Sequence, residues 1–169
     1  MKVSELMTRT VASCRSETNL ASAGALMWES DCGILPVIDD RKRVIAVLTD
    51  RDVCIALTTR DRRASAMTVG EVVTGRAFVC DQDDDVRAVL KIMQSRRIHR
   101  LPVVNKVGLL EGIVSLNDIA LRAEKADNKK PPQISFDDVV TALQAICSQK
   151  SGKKPGTGLA MDGRTAAAA

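Results

Sequence analysis

The chain has 169 residues, of which 45% are apolar and 2% aromatic, and its formal net charge is +4. This length suffices for one ordinary domain or two small halves sharing a core, while the few aromatic rings and the mild charge disfavour nucleic-acid recognition. The five cysteines include no Cys-x-x-Cys pair, which favours reduced thiols and a cytoplasmic location. No apolar run is long enough for a signal peptide or a membrane span, and we expect neither.

The first third of the chain alternates short β-branched runs with helical patterns. Helical spacing of Leu20, Ala23, Leu26 and Met27 predicts a helix, and Pro36 indicates an edge or irregular strand. The predicted elements are a strand at 11–14, a helix at 19–30 capped by Thr18, strands at 34–38 and 44–48 around a turn at 39–42, and a helix from Thr49 to about Leu57.

The sequence then matches itself without gaps when it is shifted by 66 residues, the separation of Asp52 and Asp118. An ungapped match of this length indicates an internal duplication. We expect repeats at 1–59 and 69–124 joined by a polar linker at 60–68. The second copy predicts a strand at 78–79, a helix beginning near Asp84 or Asp85, strands at 101–104 and 110–114 around a turn at 105–108, and a helix from Ser115 to about Glu124.

After the second copy, residues 125–151 form a further linker followed by an amphipathic helix that begins at Ser135. Its apolar face needs a partner, which is either the body of the repeat or a second subunit. Residues 152–169 have no hydrophobic period and are expected to be disordered. The predicted apolar face consists of Phe136, Val139, Val140, Leu143 and Ile146.

Each copy therefore reads strand, helix, strand, strand, helix, with a Leu-Pro-Val strand and a hydroxyl-x-x-Asp turn. This pattern resembles the cystathionine β-synthase (CBS) domain, and two copies resemble a CBS pair, or Bateman module. The resemblance implies an α/β (α+β) fold of two βαββα repeats with pseudo-twofold symmetry. It also implies a homodimer formed through the helices, and two clefts that hold an adenosine compound and regulate another, unknown protein.

The two turns carry the groups that a nucleotide needs. A carboxylate (Asp52 or Asp118) can accept hydrogen bonds from the ribose hydroxyls, and a hydroxyl at a helix start (Thr49 or Ser115) can meet phosphate. The same pattern is also close to a capping box, in which both side chains only satisfy the helix start, and the sequence leaves both interpretations open. The apolar slots for adenine would be lined by Ile34, Pro36, Ile98 and Pro102, with help from the segments after Thr8 and Thr74.

The second copy looks better equipped for phosphate. His99 and Arg100 precede its Leu-Pro-Val strand, where related nucleotide-binding members use basic residues, whereas the first copy has Gly33 nearby and no cation. The first copy also has Ala46 where the second has Gly112, the commoner choice in the family. We therefore expect a polyphosphate to use the basic cluster of the second copy, and the first site to be empty or to take a less charged ligand.

The candidate ligands are AMP, ADP and ATP, with S-adenosylmethionine or NAD as further possibilities, and no cofactor is required. His99 is the only histidine, and no acid–base pair or metal-ligand cluster stands out, so we expect a protein that is not an enzyme. The alternatives are a ligand-free dimerisation module, a redox regulator using Cys32, and nucleic-acid binding through the Lys-rich tail and Arg60, Arg62 and Arg63.

Overall fold

The two copies fold in the same way, and the structure, a computed structural model, describes residues 1–125 and 132–148. The mixed α/β architecture agrees with the prediction. The helices and strands are, in chain order, α1 (Leu20–Glu29), β1 (Ile34–Ile38), β2 (Val44–Thr49), α2 (Asp50–Arg60), α3 (Val69–Val72), β3 (Cys80–Asp81), α4 (Val86–Arg96), β4 (Arg100–Val104), β5 (Leu110–Ser115), α5 (Leu116–Ala120) and α6 (Phe136–Cys147).

Each copy contains an antiparallel hairpin with the same irregularity. β1 pairs with β2 and β4 pairs with β5, and both registers shift at equivalent positions, between 37 and 38 and between 103 and 104. Asp39 and Asn105 occupy equivalent places in the turns, where each side chain accepts two backbone N–H groups. Lys42 and Gly108 follow with positive φ, so the turn geometry is shared although only one copy has glycine there.

The opening segments of the two copies are exchanged. The N–H of Leu20 donates to the carbonyl of Met67, and the N–H of Val86 donates in the same way to the carbonyl of Met1. Met67 is fully buried in the core of the first copy, whereas Val3 is fully buried in the core of the second. Each hydrophobic core is therefore completed by residues at or just before the start of the other copy.

Two of the predicted strands and one predicted cap are wrong in detail. The strand at 11–14 is a single bridge between Cys14 and Val37, and the strand at 78–79 lies at Cys80–Asp81. These segments are extended strands only where they pair with another strand, and their own sequence does not identify the residues that pair. Asn19 rather than Thr18 caps α1, because the Asn19 side chain accepts the N–H of Ser22.

Two helices end at other places than predicted. α2 continues to Arg60, and α5 stops at Ala120 rather than near Glu124. The earlier end of α5 has a tertiary cause. The N–H of Glu124 donates to the carbonyl of Ile134, so the chain after α5 is hydrogen-bonded to the residues just before α6.

The C-terminal helix α6 packs within its own chain, against α4 and α5. Ala142 and Ile146 are buried in the core of the second copy. Phe136, Val140 and Leu143 belong to the predicted apolar face but stay about half exposed. The predicted disordered tail at 152–169 lies outside the described residues.

Candidate functional site

Both hydroxyl-x-x-Asp motifs form complete capping boxes. Thr49 donates its N–H (2.9 Å) and its hydroxyl (2.6 Å) to Oδ2 of Asp52, and its Oγ1 accepts the N–H of Asp52 at 3.2 Å. Ser115 and Asp118 reproduce this arrangement at 2.8, 2.7 and 3.1 Å. Oδ1 of neither aspartate accepts a hydrogen bond from the described residues, so capping and ligand binding are compatible.

The motif alone does not define a site, because Ser135 and Asp138 form the same capping box at the start of α6. What sets the other two apart is that a cleft opens beside each. We call the first the cationic cleft; its volume is about 490 Å³ and both copies contribute to it. Its polar lining includes Thr49, Asp50, Arg51, Arg76, Arg97, His99 and Arg100, and its apolar lining includes Ile34, Ile98, Phe78 and Pro102.

The second opening, which we call the acidic cleft, has a volume of about 240 Å³ beside Ser115 and Asp118. Asp31 adds a second carboxylate to its lining, and Arg100 is the one cation that borders it among the described residues. Thr8, Thr10 and Ile34 form much of the remaining wall. The segments after Thr8 and Thr74 therefore line the two clefts, one each.

The basic cluster of the second copy faces the helix start of the first copy, which differs from the expectation. Arg97, Ile98 and His99 line the cleft of Thr49, whereas their equivalents Ser30–Cys32 line the cleft of Ser115. The expected combination of the cluster with Ser115 therefore forms only in part, because Arg100 alone of the cluster borders that cleft. The reason is that the first residue of β1 (Ile34) and of β4 (Arg100) borders both clefts, and the residues before each strand line the cleft beside the helix start of the other copy.

Four other predicted residues need separate comment. Asp118 lines the acidic cleft. Asp52 does not line the cationic cleft, and the carboxylate that does is Asp50. Both Pro36 and Pro102 are buried, but Pro102 lines the cationic cleft and Pro36 lines neither cleft.

Sequence reasoning missed Arg51 and Arg76, which add two cations to the cationic cleft. Their signal was available, since Arg51 lies inside the motif and Arg76 lies two residues after Thr74. Arg96, at the end of α4, places its guanidinium 4.5 Å from the centre of the Phe78 ring. This contact fixes Phe78 at the edge of the cleft by a cation–π attraction.

The clefts differ in size because Thr8 is hydrogen-bonded to Ile113 at the acidic cleft and, among the residues described, the equivalent Thr74 is not bonded in this way at the cationic cleft. At the acidic cleft Thr8 and Ile113 exchange two hydrogen bonds of 2.9 Å, and a side chain on Gly112 would lie 2.7 Å from the Thr8 carbonyl. Ala46 occupies the equivalent position beside the cationic cleft. Within the described residues, Thr74 forms no such bridge with β2, which leaves this cleft wider.

The structure gives the surroundings of the cysteines and arginines named in the alternatives. Burial raises the pKa of the Cys14 thiol to about 11 and that of the Cys80 thiol to about 12, so both are poor nucleophiles. Cys32 lines the acidic cleft. Arg60 and Arg62 both donate to Glu71, Arg63 is exposed, and the Lys-rich tail lies outside the described residues.

Two copies of one compact unit, an exchanged opening segment and a cleft beside each capping box together match a known family. The model of the CBS domain matches residues 3–59 and 69–124. The chain belongs to the CBS domain family. The tandem arrangement makes it a CBS domain pair, and such pairs are regulatory modules. Among the described residues no helix is long and apolar enough to cross a membrane.

The CBS pair has relatives of known structure. Hypoxic response protein 1 of Mycobacterium tuberculosis is 29% identical over 144 residues, 85% of this chain and 92% of that protein. Its crystal structure with two coordinated zinc ions superposes with a TM-score of 0.67 at 27% identity, covering 73% of this chain and 100% of that one. No group of three potential metal ligands occurs in the described part of this chain.

Two further CBS structures contain adenosine compounds. The CBS pair of protein MJ0100, in complex with 5'-methylthioadenosine and S-adenosylmethionine, has a TM-score of 0.65 at 21% identity, covering 72% of this chain and 94% of that one. CBSX2, in complex with AMP, has a TM-score of 0.60 at 23% identity, covering 69% of this chain and 91% of that one. At these identities the likeness establishes the shared fold.

Proposed function

We propose that this CBS pair is a non-catalytic regulatory module that binds an adenine nucleotide in the cationic cleft. The observation that carries the proposal is the convergence of four arginines and His99 on one cleft, beside the N-terminus of α2. The AMP held by CBSX2 supports an adenine nucleotide as the ligand class.

The cationic cleft can meet each part of such a ligand. The positive end of the α2 dipole suits phosphate, and Arg51, Arg76 and Arg97 supply charged donors, whereas the Thr49 hydroxyl already donates to Asp52. Ile98 and Pro102 offer an apolar slot for adenine. The carboxylate that can accept hydrogen bonds from the ribose hydroxyls is that of Asp50, which lines the cleft, whereas Asp52 does not.

Binding in this cleft would act on the relation between the copies, since Thr49 and Arg51 belong to the first and Arg76 and Arg97 to the second. A nucleotide that bridges them favours the arrangement that it binds more tightly, and a partner protein can read the difference. The proposal includes a homodimer through the helices and a cytoplasmic location. The location rests on five unpaired cysteines.

The test measures the midpoint of thermal unfolding with AMP, ADP, ATP, S-adenosylmethionine, NAD or adenosine. A ligand that binds only the folded state raises the midpoint. At a ligand concentration of a hundred times the Kd, it adds about 2.7 kcal/mol to the free energy of unfolding. We expect AMP, ADP or ATP to raise it in the wild type and much less in Arg76→Ala. Arg41→Ala is the matched control, because Arg41 is an exposed arginine in the β1–β2 turn. No rise with any of these compounds would refute the proposal.

The second candidate is a ligand-free dimerisation module. It is favoured by the large apolar side chains that remain exposed on or beside the helices, with Trp28 at 88% and Leu121 at 84% exposure. A dimer in the absence of any midpoint shift would select this function over nucleotide binding.

A further inference from the structure

Arg100 lies where the two clefts meet. It is the first residue of β4, opposite Ser115 in the hairpin, and it lines both the cationic and the acidic cleft. Its repeat equivalent Ile34 also lines both clefts, but it carries no charge. Among the residues that the structure describes, Arg100 is therefore the one ionisable side chain shared by the two sites.

The backbone beneath Arg100 is fixed while its side chain is free. The carbonyl of His99 accepts the N–H of Leu116 at 2.9 Å, which anchors the start of β4 to the start of α5. The guanidinium is exposed and makes no hydrogen bond or ion pair with the described residues. A long, uncommitted arginine side chain can turn toward an anion on either side.

The clefts depend on this cation to different degrees. The cationic cleft keeps Arg51, Arg76 and Arg97 if Arg100 turns away. The acidic cleft then keeps only Asp31 and Asp118 as charged residues in its lining, and both repel phosphate.

We propose that Arg100 couples the two clefts negatively, so that a phosphate-bearing ligand in one weakens the binding of a second such ligand in the other. This rests on the proposed function, because it needs anionic ligands to enter the clefts. An anion in the cationic cleft draws the guanidinium toward it and removes the only cation from the acidic cleft. Coupling is reciprocal, so each occupied cleft weakens the other by the same factor. The cationic cleft fills first because its lining holds more cations.

Calorimetric titration with AMP tests this coupling on the full chain. Ala77→Trp fills the cationic cleft, and Val11→Trp, at the equivalent position, fills the acidic cleft; together they assign the two Kd values. If Ala77→Trp does not fold, Arg76→Glu excludes AMP from the cationic cleft by charge. Arg100→Ile gives the second copy the residue that the first copy has at Ile34.

We expect the acidic cleft of the wild type, with its neighbour occupied, to bind AMP about ten-fold more weakly than in Ala77→Trp. Arg100→Ile also removes the cation of the acidic cleft, so AMP should bind there more weakly, but with the same Kd whether or not the cationic cleft is filled. A merely structural role of Arg100 would shift both values alike and leave their ratio unchanged.

Two results would overturn the coupling and leave the proposed function intact. One is an acidic-cleft Kd that is equal in the wild type and Ala77→Trp, and the other is AMP binding to one cleft only in every variant. Absence of AMP binding in the wild type and all variants would overturn both proposals.

Discussion

Gly112 holds the N-terminal segment against β5, because a Cβ there would lie 2.7 Å from the Thr8 carbonyl and 3.0 Å from Sδ of Met7. We predict that Gly112→Ala lowers the free energy of unfolding by about 1–3 kcal/mol, the usual cost of overpacking. Urea unfolding measures the change. Gly24→Ala is the control: it lies inside α1 with open space around its Cβ, and should stabilise by about 0.5–1 kcal/mol. Equal stability of wild type and Gly112→Ala would contradict the prediction.

The thiols should fall into two classes of reactivity. Burial raises the pKa of Cys14 and Cys80, whereas Cys54 and Cys147 are exposed and Cys32 is partly exposed. Because the thiolate is the reacting species, a thiol reagent should modify Cys32, Cys54 and Cys147 rapidly in the folded protein, and the buried pair only after unfolding. Mass spectrometry of peptides after brief labelling locates the modified residues. Early modification of Cys14 or Cys80 would refute the assignment.

The capping box of α6 should make stability depend on acid pH. The backbone N–H of Ser135, its hydroxyl and Arg87 lower the pKa of the Asp138 carboxyl. Since this pKa is lower in the folded chain, the stabilisation is complete above the unfolded value, about 3.9, and is lost as pH falls through the folded value. We predict that Asp138→Asn removes this part of the pH dependence.

The measurement compares unfolding free energies of wild type and Asp138→Asn from neutral pH down to about 3, a range that includes the unfolded pKa. The difference should be largest at neutral pH and shrink in acid. Asp137→Asn is the matched control, because it removes the same charge from the same helix turn outside the capping box. A difference between Asp138→Asn and wild type that is independent of pH would argue against a titrating cap.

At the scale of elements, the sequence predicts best what is decided locally. The hairpins, the helix caps at Thr49, Ser115 and Ser135, and the start of α4 depend on neighbouring residues, and they were predicted. The strands at Cys14 and Cys80 depend on partners far along the chain. Local preference cannot identify such partners, which is why both predicted strands were misplaced.

For the whole molecule, the exchange of opening segments decides what the sequence could not show. The duplication relates Thr49 to Ser115 and Ile34 to Arg100, but a repeat does not reveal which copy a loop faces. Tertiary packing decides this: Met67 packs in the first core and Val3 in the second, and the segments before β1 and β4 cross between the copies. As a result, Arg97 and His99 line the cleft beside Thr49.

The helix surface carries the last prediction. Ile55 and Leu121 are repeat equivalents, and both are exposed large apolar side chains, at 46% and 84%. Because the same exposed apolar position occurs in both copies, we predict a homodimer that buries the two side chains within one apolar patch. Leu121→Glu should weaken association by about 2 kcal/mol or more, the range of a central interface residue.

Light scattering during size-exclusion chromatography, over a range of concentrations, gives the oligomeric state of each variant. Val107→Glu is the matched control, because Val107 is also apolar and 68% exposed but lies at the tip of the β4–β5 turn, away from the helices. We expect the wild type and Val107→Glu to be dimers, and Leu121→Glu to dissociate on dilution while retaining its circular dichroism spectrum. If Val107→Glu dissociates and Leu121→Glu does not, the dimer forms through the hairpin turns, and the helix surface is left for the regulated partner protein.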